Sequence, residues 1–361
     1  MKKVLFSIGN LIGGGAERVV ALWCGILAEK GYDVALYMAH RADGEYYVDP
    51  RVKIASTASS QKEFMAMSKT DRFKKNRRFI KGFAPDVIIN FLPKMQIKML
   101  VTSFGIPARR IETIRNNPWI DTDVGRLRPL WNLCFKRADA IIVQTAEQAE
   151  YFSSREKKKC TVIHNPISAA FRDAKREEYA ARATRFTAAG RLNTQKNFPM
   201  LIEAFSRVAK DNTDICLDIY GNGSDEYTAY LQQCIDKEGM SRQIILKGRT
   251  DDVCAALMEH DCFIMSSDYE GMPNALAEAM ATGMVCISTD CKTGPCDMIE
   301  NGKNGYLSKT GNADDMERAI RQVLSMSKED IEGMGKAARK SILELCDDEK
   351  NIKKLIEVIE G

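Results

Sequence analysis

The chain has 361 residues, too many for one ordinary hydrophobic core and enough for two domains. Hydrophobic residues make up 45% and charged residues 28%, with no low-complexity tract, which excludes a disordered or fibrous protein. The formal net charge is only +4, yet residues 1–180 carry +12 and the remainder −8, so the first half is expected to face something anionic.

The opening "MKKVLFSIGN" is basic and then apolar, but it breaks at Gly9-Asn10 and runs into glycines and Glu17, which argues against a signal peptide. No apolar run is long enough to span a bilayer. Short branched runs then alternate with helical spacing. Strands are predicted at 4–8, 33–38, 86–91, 110–115, 140–145 and 161–164, and again at 186–190, 215–220, 244–248, 262–266 and 285–289. Strand–helix alternation implies parallel sheets covered on both faces, hence an α/β protein. The pattern pauses over the polar, strand-free segment 165–184, taken as a linker. Two doubly wound, Rossmann-like domains facing a central cleft are expected, 1–168 and 185–340, with a C-terminal helical stretch 341–361 packing back across the junction. The eleven cysteines form no CxxC pairs and sit mostly in strand-like runs, so they are read as reduced core residues.

Several segments carry chemistry. "GGGAER" (13–18) follows the first strand and opens a helix, where backbone N–H groups can approach a phosphate or a sugar; a plain glycine turn is the alternative. It is not GxGxxG, and no acid ends the next strand, so a nicotinamide site is not supported. "KTDRFKKNRRFIK" (69–81) has seven basic residues against one acid, interleaved with Phe73, Phe79 and Ile80, the profile of an interfacial helix on an anionic membrane or of a solvated surface helix. No nucleic-acid module accompanies it. "AAGRLNTQKNF" (188–198) sets Arg191 and Lys196 on one polar loop, suited to a diphosphate. "IYGNGSDEY" (219–227) puts Gly221 and Gly223 in a tight turn at a strand's carboxyl end. In "DYEGMPNALAEAMATG" (268–283), Glu270 precedes a helix that Pro273 opens, and Glu278 stands in its second turn. N–H groups of Gly271, Met272, Asn274 and Ala275 suit an anion or sugar hydroxyls, and Glu278 suits a ribose diol; helix capping by Glu270 and a surface position for Glu278 are the plainer reading.

Taken in order, "GGAE", "GRL" with Lys196, the "GNG" turn, "EGMPNALAEAMATG" with its E-x7-E spacing, and "TGPCDMIENGKNGYL" (293–307) resemble the retaining glycosyltransferases of the GT-B fold, group 1, which use nucleotide sugars. The resemblance covers nearly the whole chain. It implies that Arg191 and Lys196 hold the donor diphosphate, that Glu278 holds the ribose, that Glu270 sits by the donor sugar, and that Gly14 and Gly15 approach donor or acceptor. It also implies that the loop 247–252, with Arg249, lies on the nucleobase side, and that no metal is required. Many relatives carry a His after the fourth strand of the first domain; here the chain reads "ETIRNNPW" (112–119), so Asn116 or Arg115 is expected to stand in its place. The expected activity is transfer of a hexose or N-acetylhexosamine from a UDP-sugar to a lipid-linked saccharide in bacterial surface-polysaccharide assembly. The expected location is the cytoplasm, on the inner face of the cell membrane. A GDP-sugar donor, a sugar-nucleotide epimerase and a non-catalytic binding protein are the alternatives.

Overall fold

The structure, a computed structural model, describes residues 1–120 and 124–361. The chain divides into two units, Met1–Pro166 with Glu349–Gly361, and Ile167–Asp348.

The first unit is built on seven parallel strands: β1 (Lys3–Ile8), β2 (Asp33–His40), β3 (Lys53–Ala58), β4 (Val87–Asn90), β5 (Arg109–Thr113), β6 (Ala140–Val143) and β7 (Cys160–Val162). They run in the order β3-β2-β1-β4-β5-β6-β7. The central strands are apolar on both faces because helices cover both, as parallel sheets require. A polar row crosses this sheet. Ser7, Asn90 and Glu112 are register partners on β1, β4 and β5. Ser7 Oγ donates to Asn90 Oδ1 at 2.7 Å, and Asn90 Nδ2 donates to Glu112 Oε1 at 2.8 Å.

The second unit has six parallel strands: β8 (Arg185–Ala189), β9 (Cys216–Tyr220), β10 (Ile244–Gly248), β11 (Cys262–Met265), β12 (Val285–Thr289) and β13 (Tyr306–Ser308), in the order β10-β9-β8-β11-β12-β13. Chain order reverses between β8 and β11, the switch point beyond which open α/β sheets bind ligands. Each unit is thus a Rossmann-like doubly wound sheet.

Eleven strands fall within two residues of their predicted positions. The two missed, β3 "KIASTA" and β13 "YLS", are outermost strands that carry few branched apolar residues, unlike the outermost β7 and β10. The C-terminal stretch is two helices, not one. Lys328–Leu345 belongs to the second unit, and the chain re-enters the first at Glu349. The last helix, Asp348–Glu360, buries Ile352, Leu355, Val358 and Ile359 in the first unit's core. Its carboxyl end is held by cations, as the helix dipole favours: Lys2 Nζ donates to Ile359 O at 3.0 Å and Arg109 Nε to Val358 O at 3.0 Å. Among the described residues no helix is long and apolar enough to cross a membrane. All eleven cysteines are free, and among them only Cys296 is exposed.

The helix Lys69–Phe83 differs from its expected use. Ile80 and Phe83 are buried in the first unit and Phe79 packs on Tyr37 at 4.9 Å between ring centres. Most of its apolar face is therefore spent on the core and is not available to lie in a bilayer. What it offers outward is charge, with Lys69, Lys74, Lys75, Arg78 and Lys81 exposed.

Candidate active site

The switch point of the second unit gathers most of the residues singled out from sequence. Beyond β8 the chain makes a short 3-10 turn, Thr194–Lys196, capped by Asn193, whose Oδ1 accepts from Lys196 N at 3.3 Å. Beyond β11 comes the loop 266–273, which leads into the helix Asn274–Ala281. Side chains and main chain stitch the two segments together. Ser266 Oγ donates to Lys196 O at 2.7 Å, Gln195 Nε2 to Tyr269 O at 2.8 Å, and Asn197 Nδ2 to Asp268 Oδ1 at 2.7 Å.

This scaffold pairs Lys196 with Glu270, Nζ to Oε1, at 2.5 Å, with both side chains largely buried. Ser267 Oγ donates to the same carboxylate oxygen at 2.7 Å. Glu270 therefore does not cap the helix; its carboxylate is committed to Lys196 and Ser267. The helix is capped one residue later than expected, with Pro273 at the N-cap and Asn274 first in the helix. Glu278 is only 6% exposed, which excludes the surface reading, since a carboxylate is not buried without a purpose. Gly271 and Met272 are buried, Met272 within an apolar cluster, so only main-chain groups of Met272 are suited to a polar ligand. Asn274 and Ala275 are half-buried on the first helical turn. Arg191 is exposed, and no hydrogen bond or ion pair among the described residues holds its guanidinium.

The glycines have structural reasons. A Cβ on Gly221, which has φ +145°, would lie 1.8 Å from Gly190 O, and one on Gly223 would lie 2.3 Å from Leu192 O. The turn 221–223 is thus pressed against the main chain that carries Arg191, and it fixes where that residue starts. A Cβ on Gly294 would lie 2.2 Å from Gly271 O, and Thr293 Oγ1 donates to Glu270 O, so the loop 293–295 braces the Glu270 loop from the other side. Cys291 donates to Ser267 O at 3.0 Å; burial pushes its thiol up to about 12, which leaves no thiolate to act as a nucleophile. Arg249 is exposed after β10, its Nε 3.9 Å from Asp251, while Asp252 caps the following helix by accepting from Ala255 N at 2.9 Å.

In the first unit Gly14 is the N-cap and Gly15 the first residue of the helix Gly15–Glu29. The Glu17 carboxylate folds over this turn, where a Gly14 Cβ would come within 1.9 Å of its Oε2. After β5, Arg115 and Asn116 separate in role. The Arg115 guanidinium stacks on Trp23 and Phe91, 4.7 and 4.5 Å from the ring centres, and donates to Asn165 Oδ1 at 3.0 Å. Burial pulls it down to about 9, so it stays a cation at neutral pH, in a structural position. Asn116 is half-exposed; its carbonyl accepts from Gln148 Nε2 at 3.2 Å and its Oδ1 from Asn117 N at 2.9 Å. Sequence reading missed the supporting shell of Asn193, Gln195, Ser266, Ser267 and Thr293. Their one signal is polarity at the carboxyl ends of strands.

Two family descriptions match consecutive parts of the chain: "Glycosyltransferase Family 4" over 13–171 and "Glycosyl transferases group 1" over 171–341. The amylovoran biosynthesis glycosyltransferase AmsD of Erwinia amylovora is 28% identical over 85% of this chain and 86% of its own. A Campylobacter jejuni 4-alpha-N-acetylgalactosaminyltransferase, named for a diphospho-undecaprenol-linked acceptor, is 25% identical over 91% and 92%. The fold is shared with Staphylococcus aureus TarM, a variant of which was solved with UDP; the TM-score is 0.83 at 16% identity, covering all of both chains. With these matches, the two doubly wound sheets and the glutamate-x7-glutamate helix start at the switch point, the chain belongs to the group 1 glycosyltransferases of the GT-B fold.

Proposed function

We propose that this glycosyltransferase moves a hexose or N-acetylhexosamine from a UDP-sugar, with retention at the anomeric carbon, to a lipid-linked saccharide in the assembly of a bacterial surface glycan. The observation that carries the reading is the Lys196–Glu270 couple beside the exposed Arg191 at the carboxyl ends of β8 and β11. Arg191 and Lys196 meet the donor diphosphate, so that Lys196 exchanges part of its contact with Glu270 for phosphate oxygens. The freed side of Glu270 accepts from donor-sugar hydroxyls, and main-chain N–H groups at 271–275 meet the sugar or the β-phosphate. Glu278 accepts from the two ribose hydroxyls, Arg249 lies toward the base, and the turn 221–223 holds the Arg191 loop. Gly14, Gly15 and Asn116, in the first unit, serve the acceptor.

As the C1–O bond to the diphosphate breaks, negative charge grows on the leaving phosphate, where two fixed cations stabilise it most. The acceptor oxygen bonds to C1 on the same face, and its proton passes to the departing phosphate oxygen. Two cations and a helix start supply the countercharge, so transfer is expected to persist in chelator. The bacterial relatives named above support the glycan and lipid-linked acceptor, and the TarM complex supports UDP. Docking on the inner face of the cell membrane uses the basic outer side of the helix Lys69–Phe83.

The test is incubation of a UDP-sugar panel with a diphosphate-linked lipid saccharide, with the product's anomeric configuration read by NMR. Transfer with inversion, or UDP-sugar interconversion without acceptor, would refute the reading. Equal pelleting of wild type and a Lys74, Lys75 and Arg78 charge-neutral variant with anionic vesicles would refute the docking.

A further inference from the structure

Five elements of the first unit pack around a pair of cations that plays no part in the site above: β2, β3, and the helices Gln61–Ala66, Lys69–Phe83 and Pro93–Thr102. Lys98 comes from the last of these. Its Nζ donates to the buried Thr57 Oγ1 at 2.8 Å and lies 5.6 and 5.4 Å from the ring centres of Tyr37 and Phe64. Arg72 lies over the same Phe64 ring, its guanidinium carbon 4.2 Å from the centre. Arg72 Nη2 donates to Met65 O at 3.1 Å, while its Nε is buried with no hydrogen-bond partner.

What the pair lacks is a negative charge. Among the described residues no carboxylate pairs with Lys98 or Arg72. The two nearest in sequence are turned away to helix starts. Glu63 accepts from Ser59 N at 2.7 Å, and Asp71 Oδ2 accepts from Ser68 Oγ at 2.7 Å. Two half-buried cations on one aromatic ring and an orphaned guanidinium N–H, with no counter-ion among the described residues, form a costly arrangement by themselves. Burial, with Arg72 adding to it, pulls Lys98 down to about 8, the electrostatic signature of the same deficit. A phosphate would supply the missing charge, with Arg as a directional donor and Lys as a point charge. The helices that carry and flank the pair also expose apolar side chains. Met65, whose carbonyl accepts from Arg72, is 68% exposed, and Val101, on the helix that carries Lys98, is 56% exposed; such side chains accompany a phosphate that arrives on an aliphatic chain.

We infer that Lys98 and Arg72, around Phe64 and Thr57, form a binding site for a lipid-borne phosphate. The choice of a lipid rests on the proposed acceptor class, whereas the anion site itself does not. The phosphate comes either from the acceptor's own diphosphate or from a bilayer headgroup, and the test separates the two.

The experiment uses the full chain with saturating UDP, which occupies the donor site. Binding of geranyl diphosphate is measured by calorimetry, and pelleting is measured with phosphatidylglycerol and with phosphatidylcholine vesicles. Lys98→Met and Arg72→Met remove charge and keep an aliphatic stem; Lys98→Arg restores charge. If the acceptor's diphosphate is the ligand, each Met variant weakens geranyl diphosphate at least tenfold, Lys98→Arg recovers most of it, and vesicle pelleting is unchanged. If a headgroup is the ligand, the Met variants lose selective pelleting with phosphatidylglycerol. Wild-type behaviour of both Met variants toward both probes, or no wild-type binding to either, overturns the inference. Lys196→Ala separates this site from the donor site, since it is expected to lose UDP and keep geranyl diphosphate.

Discussion

Replacing Glu112 with glutamine is expected to remove a pH-dependent weakness built into the first unit. Glu112 is 2% exposed on β5, at the end of the Ser7–Asn90–Glu112 row. Its Oε1 accepts from Asn90, but its Oε2 is buried with no partner. Burial pushes the carboxyl from 4.5 up to about 8, and the Asn90 hydrogen bond and the charge of Arg110 pull it back only in part. The folded value is the raised one, so the stability this group contributes is complete below about 4.5 and is lost as pH rises toward 8. Between pH 5 and 7 the folded chain keeps the proton and the unfolded chain has released it. Each pH unit then costs about 1.4 kcal/mol, roughly 3 kcal/mol over the interval.

Glutamine keeps the acceptor for Asn90 and has no proton to lose. Its stability relative to wild type should therefore rise by about 3 kcal/mol from pH 5 to 7 and level off above pH 8. All three tryptophans, Trp23, Trp119 and Trp131, lie in the first unit, so urea unfolding followed by tryptophan fluorescence reads this unit selectively. Curves for the two proteins that stay parallel within about 1 kcal/mol across pH 5–8 would refute the reasoning.

Other outcomes follow from the same geometry. Gly221→Ala, which drives a Cβ into Gly190 O at a positive φ, should destabilise the second unit by about 2 kcal/mol or more and lower UDP affinity, both readable by thermal shift. Lys196→Ala should cut turnover about 10²–10³-fold in steady-state assays, whereas Arg115→Lys should act mainly on the first unit's stability. Leu355→Ala should cost the first unit about 2–5 kcal/mol by fluorescence, because the residue is fully buried there.

Much of the fold was legible because parallel sheets write themselves as short branched runs between amphipathic segments. β1, β4, β6, β11 and β12 are buried on both faces, and their sequences say so. β3 and β13 were illegible because they carry few branched apolar residues, whereas the outermost β7 and β10 were legible because theirs stand out. The amphipathic pattern of 69–81 was read correctly as a helix, but periodicity does not say whether an apolar face meets a membrane or a core. Packing on Tyr37 decided that for Phe79.

By itself, the sequence determined the two parallel-sheet units, the helix start between Glu270 and Glu278, and the basic loop after β8, since local pattern and chain order are enough for these. Only tertiary structure decided that Lys196 and Glu270, 74 residues apart, share a hydrogen bond, and that Arg115 is stacked inside while Asn116 is not. It also decided that the final helix completes the first unit and that Lys98 and Arg72 meet over Phe64 with no counter-ion among the described residues. Those facts depend on which strand ends the sheet order makes neighbours and on which charges burial leaves unpaired. Neither is written in any local stretch of the chain.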